Sequence, residues 1–358
     1  MTPRILLGAS ILLGLTARVQ ADELPSPAEV RKAVERSLPF VEKGGVTWMN
    51  ERGCLSCHNG AFLLWSHNEA RRRGIAVDAK KIEAWTNQAL VDTFARGKEG
   101  GGLDTMSQLL LGRDPGSAWR EKPDRGTKTA DPFEVLWETL IERQKPDGSW
   151  PVEGQLRTPP EITTMWALLA LAGRDSKPAP DPAKASGQGL GAPLAKQMKK
   201  IDDATPKARD KALAFLKQVK PEDTTEALLL RVLVERKFGA AERADELRQD
   251  LLARQNPDGG WSYRTDDKES NAFATGQVLY ALGIEGVTET PVIGKAWKYL
   301  LTTQQKDGNW AVTTNQVRPK SNGAKADHVY TYWGTAWATI GLLRTLPETP
   351  ARAAKAGE

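Results

Sequence analysis

Apolar residues recur at helical spacing in about a dozen stretches of this chain, and no stretch alternates in the manner of a half-buried strand. Before residue 113 the pattern predicts helices over Pro27–Asn50, Ala61–Arg73, Ala79–Ala95 and Leu103–Leu111. After it come Phe133–Arg143, Thr163–Ala172, Pro206–Val219, Thr224–Lys237, Ala240–Arg254, Ala272–Leu282, Val292–Thr303 and Tyr332–Leu346. The expected fold class is all-α. Residues 174–205 break the pattern with Lys-Pro-Ala-Pro-Asp-Pro and Gly-Gln-Gly-Leu-Gly runs, a composition poor in core-forming side chains. That stretch reads as an insertion between helical hairpins, because the same pattern resumes after it.

Three segments repeat one another: Gln144 to Trp150, Gln255 to Trp261 and Gln304 to Trp310. Each is Gln-x-x-x-Gly-x-Trp with Asp before the glycine (Gly148, Gly259, Gly308). Each follows one helical stretch and precedes another, whose opening Thr164, Thr275 or Thr335 lies 14, 14 and 25 residues beyond the Trp. The unit is helix, Asp-Gly turn, Trp-bearing segment, helix, which signals stacked supersecondary elements. The Asp-Gly pair suits a turn needing a left-handed residue, and Trp and Gln suit packing against a neighbouring helix end.

These motifs resemble the QW repeats of squalene–hopene cyclases, oxidosqualene cyclases and their prenyltransferase-like relatives, over roughly Phe133 to Leu346. The resemblance implies an α/α toroid of about six hairpins, an inner ring of helices inside an outer one. The chain then divides into residues 1–21 (leader), 22–112 (N-terminal hairpins), 113–173 (first clear repeat), 174–205 (insertion), 206–348 (closing repeats) and 349–358 (tail). The resemblance also implies a central cavity, for which Thr163, Thr164, Trp166, Thr275, Tyr332, Trp333 and Trp337 are the candidate lining. Class II cyclisation is not expected, because the Asp-x-Asp-Asp acid motif of that family is absent.

The chain has two cysteines, both in Cys54-Leu55-Ser56-Cys57-His58. C-x-x-C-H is the attachment pattern of haem c, with two thiols for the vinyl groups and His58 for the iron. The motif falls where a first repeat would place its turn, with Gly53 in the part of Gly148. Met106 and His328 are candidate second axial ligands, and His67, nine residues along the same helix, is a weaker one. Two thiolates with His58 and His67 also suit zinc, although the adjacency of Cys57 and His58 strains a shared site. A local disulfide is the third reading.

Arg4, the apolar run Ile5–Leu15 and the small-x-small sequence Val19-Gln20-Ala21 read as a secretory leader cleaved near Ala21. That places the chain in a periplasmic or extracellular setting. No later stretch is apolar enough to span a bilayer. Losing Arg4 and Arg18 with the leader takes the formal charge from +5 to +3, no footprint for nucleic acid. The expectation is an exported haem c-binding protein on a squalene-cyclase-like scaffold, serving electron transfer or another haem-dependent redox role with a redox partner protein. The alternative is a haem-free toroid holding a small apolar, terpenoid-like or glycan ligand, with Cys54 and Cys57 as a zinc site or staple.

Overall fold

The computed structural model describes residues 23–52, 58–95, 102–113, 132–152, 159–175, 191–287, 290–317 and 326–347. Its helices are α1 (Pro27–Arg52), α2 (His58–Arg72), α3 (Ala79–Ala95), α4 (Leu103–Gly112), α5 (Pro132–Glu142), α6 (Pro160–Asp175) and α7 (Gly191–Gln218). They continue as α8 (Thr225–Phe238), α9 (Ala241–Ala253), α10 (Ala272–Ile284), α11 (Pro291–Thr303), the single turn α12 (Thr314–Val317) and α13 (Asp327–Thr345). Among the described residues the only β-pairing is an isolated bridge between Thr224 and Arg264. The class is all-α. No described helix is long and apolar enough to cross a membrane.

Local signals start these helices. Ser26 and Glu29 cap each other's backbone at α1, the Ser26 N–H donating to Glu29 Oε2 at 2.8 Å. Asp78, Thr224, Asn271 and Thr290 accept first-turn N–H groups at α3, α8, α10 and α11. Helix α7 begins at Gly191, well inside the stretch expected to be an insertion. Its Ile201 and Thr205 are buried, and Gln197 and Lys200 reach Glu138 of α5. The Pro-rich residues 176–190 lie outside the described residues.

Neighbour relations among the helices form a cycle. α2 packs on α4, α4 on α6, α6 on α8, α8 on α10, α10 on α13, and α13 back on α2. The helices α1, α3, α5, α7, α9 and α11 each pack against a member of that cycle. The burial pattern separates the two sets. In α10 every residue from Ala272 to Leu282 is buried, as a helix enclosed on all sides must be. In α11 only Ile293, Gly294, Ala296, Trp297 and Leu300 are buried, one stripe of an outer helix.

The six enclosed helices run the same way. Gly276 of α10 lies against Trp337 of α13, and further along Gly283 lies against Arg344. Tyr332 of α13 bonds to Asn59 at the start of α2, and Arg344 pairs with Glu69 towards its end. At the far ends of α4 and α6, Arg113 and Arg174 both stack on Trp137 of α5, and Arg236 of α8 pairs with Glu285 beyond α10. All six helix starts therefore share one rim.

The three repeated segments clasp neighbouring outer helices with one geometry. Gln144 Nε2 donates to Gly148 O and to Ala208 O of α7, at 3.0 and 2.8 Å. Gln255 Nε2 donates to Gly259 O and Val292 O of α11, at 2.8 and 2.9 Å. Gln304 Nε2 donates to Gly308 O and to Ala33 O of α1, at 3.0 and 2.9 Å. The indoles of Trp150, Trp261 and Trp310 donate to Leu140, Leu251 and Leu300 at 2.7, 2.9 and 2.7 Å. Their backbone N–H groups donate to Thr164, Thr275 and Thr335 on the following enclosed helix. Gly148, Gly259 and Gly308 hold φ of 88°, 92° and 88°. A Cβ there would fall onto the carbonyl oxygens of Lys211, Lys295 and Arg36, so glycine is required both for the left-handed backbone and for the close approach. The third clasp joins the last outer helix to the first.

Candidate functional site

Cys54 and Cys57 lie outside the described residues. His58 is the first residue of α2, which begins at the rim where the six enclosed helices start. The residue after it is fixed firmly. Asn59 is buried, its side-chain oxygen accepts from Trp333 Nε1 at 3.1 Å, and its carbonyl accepts from the Tyr332 hydroxyl at 2.8 Å. That hydroxyl also reaches Val41 O on α1 at 3.3 Å. Tyr332 fits there because α1 carries Gly44 and Gly45, where any side chain would meet its ring or hydroxyl. Tyr332 and Trp333, expected to line a cavity, instead fasten the start of α2.

The candidate second ligands stand on the two enclosed helices that flank α2. Met106 is the fourth residue of α4, 2 % exposed and part of the continuous core. His328 is the second residue of α13 and is exposed. Its neighbour Asp327 accepts from the N–H and hydroxyl of Thr314 at 2.6 and 2.7 Å, which hold that carboxyl below the usual carboxylate range. His67 is elsewhere. It lies about 14 Å along α2 from His58 at 1.5 Å per residue, buried, with Nδ1 2.8 Å from Leu63 O. His67 therefore stands about two and a half turns from His58, with its Nδ1 held on the helix backbone, and is not placed beside it. Among the described residues no group of three or more His, Cys, Asp or Glu is placed to hold a metal ion.

The middle of the cycle is occupied by aromatic rings. Trp65 of α2, Trp166 of α6, Tyr280 of α10 and Trp337 of α13 touch one another, with centroids 5.3 to 6.4 Å apart. Trp65 meets Trp166, and Trp166 meets Tyr280, although their helices are not neighbours in the cycle. The rings thus cross its centre, and Trp166 stacks on Trp337 at 25°. Trp166 and Trp337, expected to line a cavity, fill the space at this level. Thr164 and Thr275 belong to the Trp clasps, and Thr163 is buried on α6.

One acidic group stands in this aromatic setting. Glu226, the second residue of α8, is buried and accepts from Trp166 Nε1 at 2.9 Å, while its Oε2 has no hydrogen-bond partner. Burial pushes its carboxyl above the ordinary Glu range, and donors on Trp166 and Gln277 oppose that without overcoming it. Gln277, wholly buried on α10, stands close enough to Glu226 to favour its charged form, but its amide meets no acceptor or donor at full hydrogen-bond geometry. Burial likewise pushes the Tyr280 hydroxyl up to about 12. Neither Glu226 nor Gln277 stood out in the sequence, where an acid in a first helical turn reads as dipole compensation. The signal available was spacing. Gln277 stands two residues beyond Thr275, as Trp166 stands beyond Thr164 and Trp337 beyond Thr335, so it occupies an inward position. No protein-family model matches the chain, and no curated protein sequence matches it significantly.

Proposed function

We propose that the chain is an exported haem c-binding protein built on a squalene-cyclase-like α/α toroid, with the cofactor carried on the rim and not inside the ring. The single observation carrying the reading is Cys54-Leu-Ser-Cys57-His58, the chain's only cysteines, ending on the first residue of an enclosed helix. The cyclic order of helix contacts and the three equivalent clasps support the toroid scaffold. The crossing rings of Trp65, Trp166, Tyr280 and Trp337 weigh against a large apolar ligand at the centre.

The residue types suit the group. Cys54 and Cys57 would hold it covalently, with His58 on the iron. Of the two candidate second ligands, exposed His328 can turn its ring without disturbing the core, whereas Met106 would have to leave it. When bound, haem supplies one-electron transfer. The chain's part is to hold the start of α2 rigid through Asn59, Tyr332 and Trp333, and to keep the site at a rim open to a redox partner protein. The test is expression of the full chain with haem c maturation, followed by intact mass and a reduced spectrum. The expected result is the mass of one haem, lost in Cys54→Ala/Cys57→Ala, and a low-spin spectrum turned high-spin by His328→Ala but not by Met106→Leu. A colourless chain at apo mass, from cells that mature a control cytochrome, overturns the reading.

A further inference from the structure

A cleft of about 290 Å³ opens between α1, α2, α3 and the α2–α3 connection, away from the end at which α2 begins. Its size is at the lower end of the ~300–1,000 Å³ range of small-molecule sites. Leu38 and Ile75 supply apolar floor, and the polar lining is Glu35, Glu42, His67, Asp78, Lys81 and Trp85. On α1 the lining side chains fall at 35, 38, 39 and 42, one face of a helix.

The polar groups here are almost all acceptors. His67 is 3 % exposed, and its Nδ1 faces the Leu63 carbonyl, which can only accept. Nδ1 therefore carries the ring proton, and Nε2 is left as a lone-pair acceptor lining the cleft. Its nearest carboxylate oxygen, Glu42 Oε2, is 3.9 Å away and is itself an acceptor, so among the described residues Nε2 of this buried histidine faces the cleft with no protein donor bonded to it. Burial also pushes the His67 pKa down, consistent with a neutral ring. Glu42 gives Oε1 to Lys81 at 2.6 Å and keeps Oε2 on the histidine side. Asp78 caps α3, and Pro39 lacks the N–H that the Glu35 carbonyl would receive in an unbroken helix. Three carboxylates face one lysine. Trp85 stands edge-on to His67 at 5.2 Å and walls one side.

We propose that this cleft binds a small organic cation: a primary ammonium whose N–H groups donate to His67 Nε2 and the Glu42 and Glu35 carboxylates, with its apolar body against Trp85, Leu38 and Ile75. Donor-rich, cationic and partly apolar is the chemistry that complements an acceptor-lined, net-negative cleft with an aromatic wall. The site is separate from the cysteine motif and stands or falls independently of haem.

The experiment titrates the full mature chain with phenethylammonium chloride and, separately, with uncharged 2-phenylethanol, following the Trp85 indole resonance and the heat of binding. Saturable amine binding at least tenfold tighter than the alcohol is expected. Glu42→Gln, a half-exposed position that leaves folding intact, should weaken the amine about tenfold and leave the alcohol unchanged. Lys81→Met, which removes the competing cation, should strengthen it. Equal affinity for the two probes, no saturation with the amine, or an amine affinity indifferent to Glu42→Gln overturns the proposal. Tighter occupation of the same carboxylates by Zn²⁺, read by loss of amine binding, overturns it as well.

Discussion

Replacing Gly308 by alanine should open the seam at which the ring closes, and the structure supplies its own control. Gly308 sits at φ 88°, and a Cβ there would fall onto the Arg36 carbonyl of α1. Gly74 sits at φ 70°, with nothing within 4 Å of the same added atom. Both substitutions carry the left-handed penalty of about 1–2 kcal/mol for an L-residue. Both recover about 0.4–1 kcal/mol from a stiffer unfolded chain. These contributions cancel between the two variants. What remains is the steric conflict at Gly308, about 1–3 kcal/mol for an overpacked position. At about 2 °C per kcal/mol for a chain this long, Gly308→Ala should melt about 2–6 °C below Gly74→Ala. Thermal unfolding followed by circular dichroism measures the difference. Gly148→Ala and Gly259→Ala should fall with Gly308→Ala, since Lys211 and Lys295 carbonyls stand where Arg36 does, and Gly286→Ala should fall with Gly74→Ala. Equal melting of Gly308→Ala and Gly74→Ala would refute the close glycine–carbonyl approach on which the clasp depends.

Two further substitutions probe the interior. Trp261→Phe keeps most of the buried ring but removes one of the two donors to Leu251 O, which retains the Arg254 N–H at 3.3 Å, and should cost about 0.5–1.5 kcal/mol in urea unfolding; wild-type stability would show that the indole N–H is dispensable. For Glu226 the folded pKa is raised, so the unfolded chain releases its proton first, and the associated stability is present below about pH 4.5 and lost as pH rises towards the folded value. Glu226→Gln should therefore gain stability relative to wild type between pH 4.5 and pH 8, read from urea midpoints at the two values. A constant difference across that interval would show that the carboxyl is not held neutral. The haem mass measurement and the amine titration complete the set.

The helical segments were legible because their apolar spacing is strict, and the Ala79–Ala95 prediction matches its helix at both ends. The clasps were legible because Gln, Gly and Trp keep one spacing three times, and each does the same mechanical task. Other features turn on relations between distant residues. The start of α7 lay hidden because Ala-Lys-Gln-Met-Lys-Lys follows directly on a Gly-rich run, and its burial against α5 shows only once Glu138 meets Gln197 and Lys200. Trp166 and Trp337 could be assigned to an enclosed helix, but nothing local says that their rings meet across the centre. The polarity of Glu226 was visible, while its burial beside Trp166 and Gln277 depends on α6 and α10.

The seam at Gln304 sets the order in which the molecule can be assembled. Its hydrogen bond to Ala33 joins residues 271 apart, and the Tyr332 bond to Asn59 spans 273. Helices α1 and α2 are made first, yet the surfaces they present to α11 and α13 have no partner until almost the whole chain exists. Such contacts carry the loop-closure entropy of the full circuit, so they form late. A linear stack that loses its last repeat is a shorter stack. Here a chain truncated before Pro291 bares two raw edges together, Phe62 and Trp65 without Trp337 on one side and the Gln255 amide without the Val292 carbonyl on the other. Shortened products should therefore aggregate instead of persisting as smaller folded forms.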